Sequence, residues 1–416
     1  MLKLFVENSN FRSFLLFQAF SSIGSGMFGI FVMWAIYIQF QNPFYLGIAG
    51  FMFVFPNIAS FIVGPLIDRC SKVTFIRIAC FVKLLTICFL SIFYDYQHGV
   101  WFLHLAILAV SIAGVLGIPA GAALLPRIVN MEDLIKANAL IMIVSTITGL
   151  SVGALLLAIM VDNTNFERVY AINTGILLIA LILSVFIRGQ ELQEPETKVG
   201  ELLLKTYFAE LKIGIKFIKQ GVIWHLTLAF IFVNLFTEVA SVNLPLFAET
   251  HTGTASGYII LMTLALMGAI VGPYVSRIIA PRFELSKIII VGFVTTGVFR
   301  IIFANVISDN FVGALLIYVL YVGLGNTVNI FVYTLMQKLP PRHIIARVNT
   351  IRLSISSIAA AIGALLGGLM GTFLSNVDMI IVIHGISYIA IGMCLRLSKQ
   401  IRNLQKINDV VSIAEL

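Results

Sequence analysis

Three ionisable residues stand deep inside long apolar stretches: Lys83 in CFVKLLTICFL, Glu238 in FVNLFTEVASVNLPLF and Arg300 in TTGVFRIIFANV. If those stretches lie in lipid, each charge costs at least about 2.5–3.5 kcal/mol on insertion scales and needs a physical reason. A carboxyl such as Glu238 can be neutral when dry and ionised when wet, which is the chemistry of proton exchange. Its alternatives are a structural ion pair or a protonated hydrogen-bond donor. Arg300 either pairs with Glu238 or receives an anion. Lys83 either runs its stem toward the polar boundary or, together with Arg300, faces a cavity that would then prefer acids. His104 and His384 read as satisfied polar residues near one end of their stretches.

A second constellation is the polar island GPLIDRCSK, Gly64 to Lys72, set between the apolar runs FMFVFPNIASFIV and VTFIRIACFV. Composition explains why such an island needs a reason. Of 416 residues, 60% are hydrophobic and only 11% charged, and the mean hydropathy is +1.03. A soluble domain carries about 25% charged residues. More than half of that charge is missing, so most of the surface must face lipid, and the chain reads as a polytopic membrane protein.

Windows of about 20 apolar residues, the length that crosses the hydrocarbon core, give twelve spans: 13–40, 44–66, 74–93, 101–125, 138–161, 168–188, 222–247, 257–280, 286–307, 311–337, 348–373 and 379–396. The first run is far longer than a signal-peptide core and is expected to be retained. Lys and Arg crowd one set of connections (Arg69, Lys72, Arg77; Arg127, Lys136; Arg277, Arg282, Lys287; Lys338, Arg342, Arg347, Arg352), while the opposite set holds Asp95, Asp162, Glu167, Glu249, Asp309 and Asp378 with one lone Arg168. Cytoplasmic loops carry the excess of Lys and Arg, so both termini are expected in the cytoplasm. The net charge of +8 is therefore a topology signal and gives no reason to expect nucleic acid. The four cysteines, Cys70, Cys80, Cys88 and Cys394, form no CxxC pair and read as small apolar filler.

The expected organisation is an N-terminal six-helix half (1–188), a cytoplasmic linker (189–221), a C-terminal six-helix half (222–396) and a cytoplasmic tail (397–416). Lys205, Lys212, Lys216 and Lys219 among Leu, Tyr, Phe and Ile suit an amphipathic helix on the anionic leaflet. The halves echo each other: PRIVNMEDLIKANAL enters span five and PPRHIIARVNTIR enters span eleven. Two parallel six-helix repeats are a recurrent transporter plan, with substrate bound near the midplane. Trp34, Tyr37, Asn57, Asn234, Asn326 and Asn329 are the expected wall of such a pocket, with Gln18, Asn243, Tyr318 and Tyr321 beside them. Gly149 and Gly153, and Gly363 and Gly367, have the GxxxG spacing of close helix packing.

The island resembles the signature loop of the major facilitator superfamily, with Gly64, Leu66, Asp68, Arg69 and Lys72 at the positions of that pattern. The resemblance implies an all-α fold of twelve transmembrane helices in two six-helix parallel-repeat halves. It also implies a gate: Asp68 at the cytoplasmic face, held by the positive start of the eleventh span or by Arg347 and Arg352 there. NFRSFLLFQAFSSIGSGM, LPRIVNMEDLIKANAL and LPPRHIIARVNTIR narrow the likeness to the drug-efflux branch that includes macrolide-efflux proteins and siderophore exporters. Two departures stand out. That branch often reads Gly-Asp where this chain has Gly24-Ser25, and the Gly-Pro-rich pattern of span five survives as Gly149, Leu150 and Gly153 without Pro.

The expected function is secondary active export of a small molecule (a drug, a macrolide-like compound or a siderophore) by alternating access, with the proton as coupling ion. No G-x-x-x-x-G-K-[ST] loop or HExxH is present, and no enzyme, cofactor or metal site is expected. The expected setting is a bacterial-type plasma membrane, with the chain a monomer in the bilayer. A lipid flippase or scramblase on the same fold, and an importer of a small anionic metabolite, are the alternatives.

Overall fold

The computed structural model describes residues 2–58, 71–93, 99–130, 133–154, 156, 166–188, 215–219, 221–340, 345–374 and 376–406. The described residues are almost entirely helical, without a strand. Ten helices are long and apolar enough to cross a membrane, and two shorter apolar helices join them. Gly64, Leu66, Asp68 and Arg69, Cys70, and the first part of the lysine-bearing linker lie outside the described residues.

By internal packing the chain divides into two units, Met1–Glu196 with Thr252–Thr263, and Thr197–His251 with Leu264–Leu416. In the first, α1 (Leu2–Glu7) leads into the long α2 (Ser9–Phe40), whose start is capped by Asn8 accepting from the Phe11 amide at 2.9 Å. Gln41 ends α2 in the left-handed region (φ 46°), returning its N–H to Tyr37 at 2.8 Å, and Pro43 opens α3 (Pro43–Ile58) with no amide to leave unpaired. Then come α4 (Lys72–Phe93), α5 (Val100–Ile128), α6 (Leu134–Thr146) and α7 (Phe166–Val185). The helix of α6 widens into a π segment over Ile147–Val152. Phe11, Phe14 and Phe17 of α2 build the core with Ile76 and Cys80 of α4 and Leu124 of α5.

The π segment lies where α2 passes closest. A Cβ at Gly26 would fall 1.7 Å from the Gly149 carbonyl oxygen, and one at Gly153 would fall 3.1 Å from the Met27 nitrogen. Glycine spacing in span five thus serves contact of one backbone with another, as expected.

The second unit holds α8 (Gly221–Ser241), α9 (Leu244–Thr252), most of α10 (Ala255–Ile279), α11 (Leu285–Val306), α12 (Phe311–Lys338), α13 (Ile345–Phe373), α14 (Asp378–Leu397) and the short α15 (Lys399–Arg402). Span seven does not run unbroken to 247: Pro245 has no N–H to continue α8, so the chain turns at Val242 and Asn243 and restarts as α9. Gly363 and Gly367 let α13 meet α8, where added Cβ atoms would lie 2.2 Å from the Leu235 oxygen and 2.7 Å from the Val239 oxygen. Asn243, expected in a pocket wall, instead ties this contact by donating to the carbonyls of Gly367 (2.8 Å) and Val239 (2.9 Å). Gly297 of α11 and Gly385 of α14 make a comparable crossing, with a Cβ at Gly297 only 2.4 Å from the Gly385 oxygen.

These crossings set a contrast between glycines. Gly297→Val forces α11 off α14 and should cost more than the about 1–3 kcal/mol of an overpacked side chain, read as a lowered unfolding midpoint in detergent. Gly29→Ala, with nothing within 4 Å of its Cβ, should leave the midpoint unchanged or raise it.

Candidate functional site

Lys83 sits on α4, where Phe81, Leu85, Phe89 and Ile92 form an exposed apolar stripe suited to lipid. At about 100° per residue, Lys83 lies roughly opposite that stripe, so its side chain turns into the bundle. Its ammonium donates to the Ser25 hydroxyl of α2 at 3.0 Å. The same cavity, about 330 Å³, is walled by α2, α3, α4 and α5 and takes in Gln18, Asn57 and Ser111 as well. Of the two alternatives open for Lys83, the structure has the cavity.

Arg300 is solved differently. It is 7% exposed within the second unit, and its guanidinium lies over the rings of Tyr388 (4.2 Å) and Tyr321 (5.0 Å). It also donates to the imidazole of His384. The glycine crossing accounts for this meeting: Gly297 is one turn before Arg300, and Gly385 follows His384 directly. Around them Tyr318 packs on Tyr321 at 5.0 Å, and Thr237 of α8 hydrogen-bonds Tyr388 (3.3 Å) and His384 (3.4 Å). A ring nitrogen that accepts from a guanidinium must carry a lone pair, so His384 meets Arg300 as neutral imidazole. Tyr faces supply the rest of the stabilisation without a second charge.

Glu238, the residue next to Thr237, is partly buried, and its carboxyl has no hydrogen-bond or ion-pair partner among the described residues. Arg300 and Glu238 are therefore not a pair. Sequence offers no way to see this, because the partner of Arg300 depends on how α11 and α14 are rotated at their crossing.

The remaining expected residues fall into two groups. Asn57, Asn234 and Asn326 donate to carbonyls one turn back on their own helices, at 3.5, 2.8 and 3.0 Å. Their amide oxygens stay available for other contacts. Trp34 lies beside Tyr37 (6.3 Å) and stacks on Tyr258 of the first unit (6.1 Å). Asn329 is partly buried on α12, without a described polar contact. Lys72 is buried at the first position of α4. Arg347 belongs to α13, and its side chain lies outside the described residues. Arg352 is 2% exposed, over Tyr333 (4.2 Å) and Phe230 (5.0 Å), with Nε and Nη2 unpaired among the described residues. His104 is buried with ring nitrogens 2.7 Å from the Val100 oxygen and 2.9 Å from the Tyr45 oxygen, a satisfied residue as expected.

Ser25, met above only as a departure from the Gly-Asp pattern, and Ser111 complete the polar lining of the cavity around Lys83. The signal was present: Gln18, Ser21, Ser22 and Ser25 recur at the three- and four-residue spacing of one helix face.

A family model described as Major Facilitator Superfamily matches residues 14–364. No curated protein matches the sequence. Among solved structures, the chain resembles a bacterial homolog of the human lysosomal transporter Spinster in an inward-facing, unoccupied conformation (TM-score 0.69, 14% identity, 94% of this chain and 95% of that one). It also resembles a POT family transporter in complex with 5-aminolevulinic acid (TM-score 0.73, 12% identity, 94% and 96%). The inward-open xylose transporter XylE from E. coli is a further match (TM-score 0.65, 13% identity, 93% and 94%). At such identities the likeness carries the fold, twelve helices on the same plan, and no substrate.

The Arg300 cage makes a measurable demand. His384→Ala should lower stability by about 1.5–3 kcal/mol, the range for hydrogen bonds to charged groups. Arg300→Met combined with His384→Ala should recover part of that loss, because the buried charge is then gone. A double-mutant cycle on detergent unfolding midpoints reads the coupling.

Proposed function

Because the chain belongs to the Major Facilitator Superfamily and is thus a secondary transporter, we propose that it exports a small molecule by proton-coupled alternating access, with Glu238 as the proton carrier. The observation that carries this reading is the isolation of Glu238. Arg300, the nearest plausible counter-charge in sequence terms, is engaged by His384 and two tyrosine rings, and no described group fixes the carboxyl in one charge state. An unpaired carboxyl within apolar surroundings is stable when protonated and ionises when water reaches it. A cycle that wets and dries the site therefore loads and unloads a proton.

Export, the plasma-membrane setting and cytoplasmic termini rest on the drug-efflux likeness of the first, fifth and eleventh span entries and on the Lys and Arg bias of the loops. The gate assigned to Gly64, Asp68, Arg69, Lys72, Arg347 and Arg352 belongs to the same reading, as does the substrate wall of Trp34, Tyr37, Asn57, Asn234, Asn326 and Asn329. Arg300 leaves that wall and becomes a positioning residue, since its cage holds α11, α12 and α14 around the helix that carries Glu238. Import of a small anionic metabolite is the second reading, favoured by Lys83 facing a cavity. A flippase would draw support from a lateral opening lined by Arg300 and Lys83, and the aromatic enclosure of Arg300 speaks against its share in one.

Proteoliposomes test the coupling. With a lipophilic cation, a macrolide and a citrate-type siderophore as trial compounds, the native protein should move protons against at least one. Glu238→Gln should still exchange that compound while proton movement falls by about tenfold or more. Normal proton coupling in Glu238→Gln assigns Glu238 a structural role instead.

A further inference from the structure

We propose that the cavity around Lys83 is a subsite for the carboxylate of an amphiphilic organic acid, with Lys83 as the specificity-determining residue. The inference rests on the transporter reading and adds the class of substrate. The described lining of the cavity lies within the first unit and includes Lys83 and, among the described residues, no Asp or Glu. An ammonium offers three N–H donors, and Ser25 accepts one of them among the described residues. On the α5 wall, the Ser111 hydroxyl is buried without a partner among the described residues. Gln18 brings an amide from α2, seven residues before Ser25 and so on the same helix face. Donors converge here with no acid among the described residues to receive them, and a carboxylate with two acceptor oxygens is the complementary group.

The rest of the wall restricts the ligand further. Phe17, Phe53, Val110 and Ile118 surround the polar end, so the acid should carry an apolar body. A volume of about 330 Å³ sits at the low end of the about 300–1,000 Å³ of small-molecule pockets. It holds a small acid, or the acidic end of a larger one. A cationic compound meets like charge at Lys83 and gains nothing there.

Ser25 supplies a test that changes charge without removing the lysine. An aspartate at that position would lie against the Lys83 ammonium and close an internal ion pair where the substrate acid should go. Three dansyl probes of matched body separate the outcomes: dansylglycine, its methyl ester, and dansylcadaverine as the cation. Binding to purified protein in detergent should favour dansylglycine over its ester by about tenfold or more. Lys83→Gln and Ser25→Asp should each erase that preference, while Lys83→Arg keeps it at a native-like unfolding midpoint. Absence of any acid preference in the native protein overturns the subsite, and so does a preference that survives Lys83→Gln. Transport is scored separately in proteoliposomes. Proton-linked movement of any probe without acid preference sinks the subsite and leaves the transporter reading standing. Lys83-dependent acid binding with no movement of any probe does the reverse.

Discussion

Hydrocarbon offers no hydrogen bonds, and that single constraint orders the whole chain. Backbone groups meet it by forming helices, which is why the described residues contain little else. Ionisable side chains must meet it one by one, and the three that lie deep in spans do so in different ways. Arg300 is wrapped by two tyrosine rings and an imidazole. Lys83 has a serine hydroxyl and a cavity. Glu238 has no described partner at all. The ranking runs from a guanidinium enclosed by aromatic rings, with its Nε unpaired among the described residues, to a carboxyl with no described partner.

Glycine decides where these groups can meet. Gly297 and Gly385 bring α11 and α14 to backbone contact, and Arg300 and His384 flank that point within one turn. In the first unit, Gly26 lets α2 reach the π segment at Gly149, while Ser22 and Ser25 alternate with Gly24 and Gly26 along the same stretch. Close approach on one face of α2 and polar lining on another come from a single run of small residues. A bulky residue in either role would remove both the packing and the cavity.

Much of this plan is legible in the residues. Hydropathy locates the spans because lipid demands about 20 apolar residues whatever their order, and GxxxG spacing marks Gly363 and Gly367 because a Cβ at either would fall 2.2 Å or 2.7 Å from a facing carbonyl oxygen. Partnership across helices is not legible. Arg300 meeting His384 depends on the azimuth of two helices separated by many residues, and no local pattern records it. The break of α8 at Ser241 was readable from Pro245 but was outweighed by the continuous apolar run through Phe247. The orientation of Lys83 could have been read from the stripe Phe81, Leu85, Phe89 and Ile92, which fixes the lipid face and puts the lysine opposite. The π segment at Ile147–Val152 has no residue signature beyond a glycine that α2 requires for its own reasons.

Keeping Arg300 away from Glu238 has a consequence for charge. Had they paired, a fixed cation would hold the carboxylate ionised whether the site was wet or dry, and a group that never changes state carries no protons. With His384 taking the guanidinium, no described cation fixes the charge state of Glu238, as the proposed role of proton carrier requires. On the proposed assignments the first unit then receives an acid on Lys83 and the second a proton on Glu238. Each loaded group is neutral as a pair: ammonium with carboxylate in one unit, carboxyl with its proton in the other. A transporter that reorients within a low-dielectric medium is favoured when no loaded site bears net charge. The buried Arg300 remains charged throughout, but its aromatic cage travels with it inside one unit, so its environment need not change at any step.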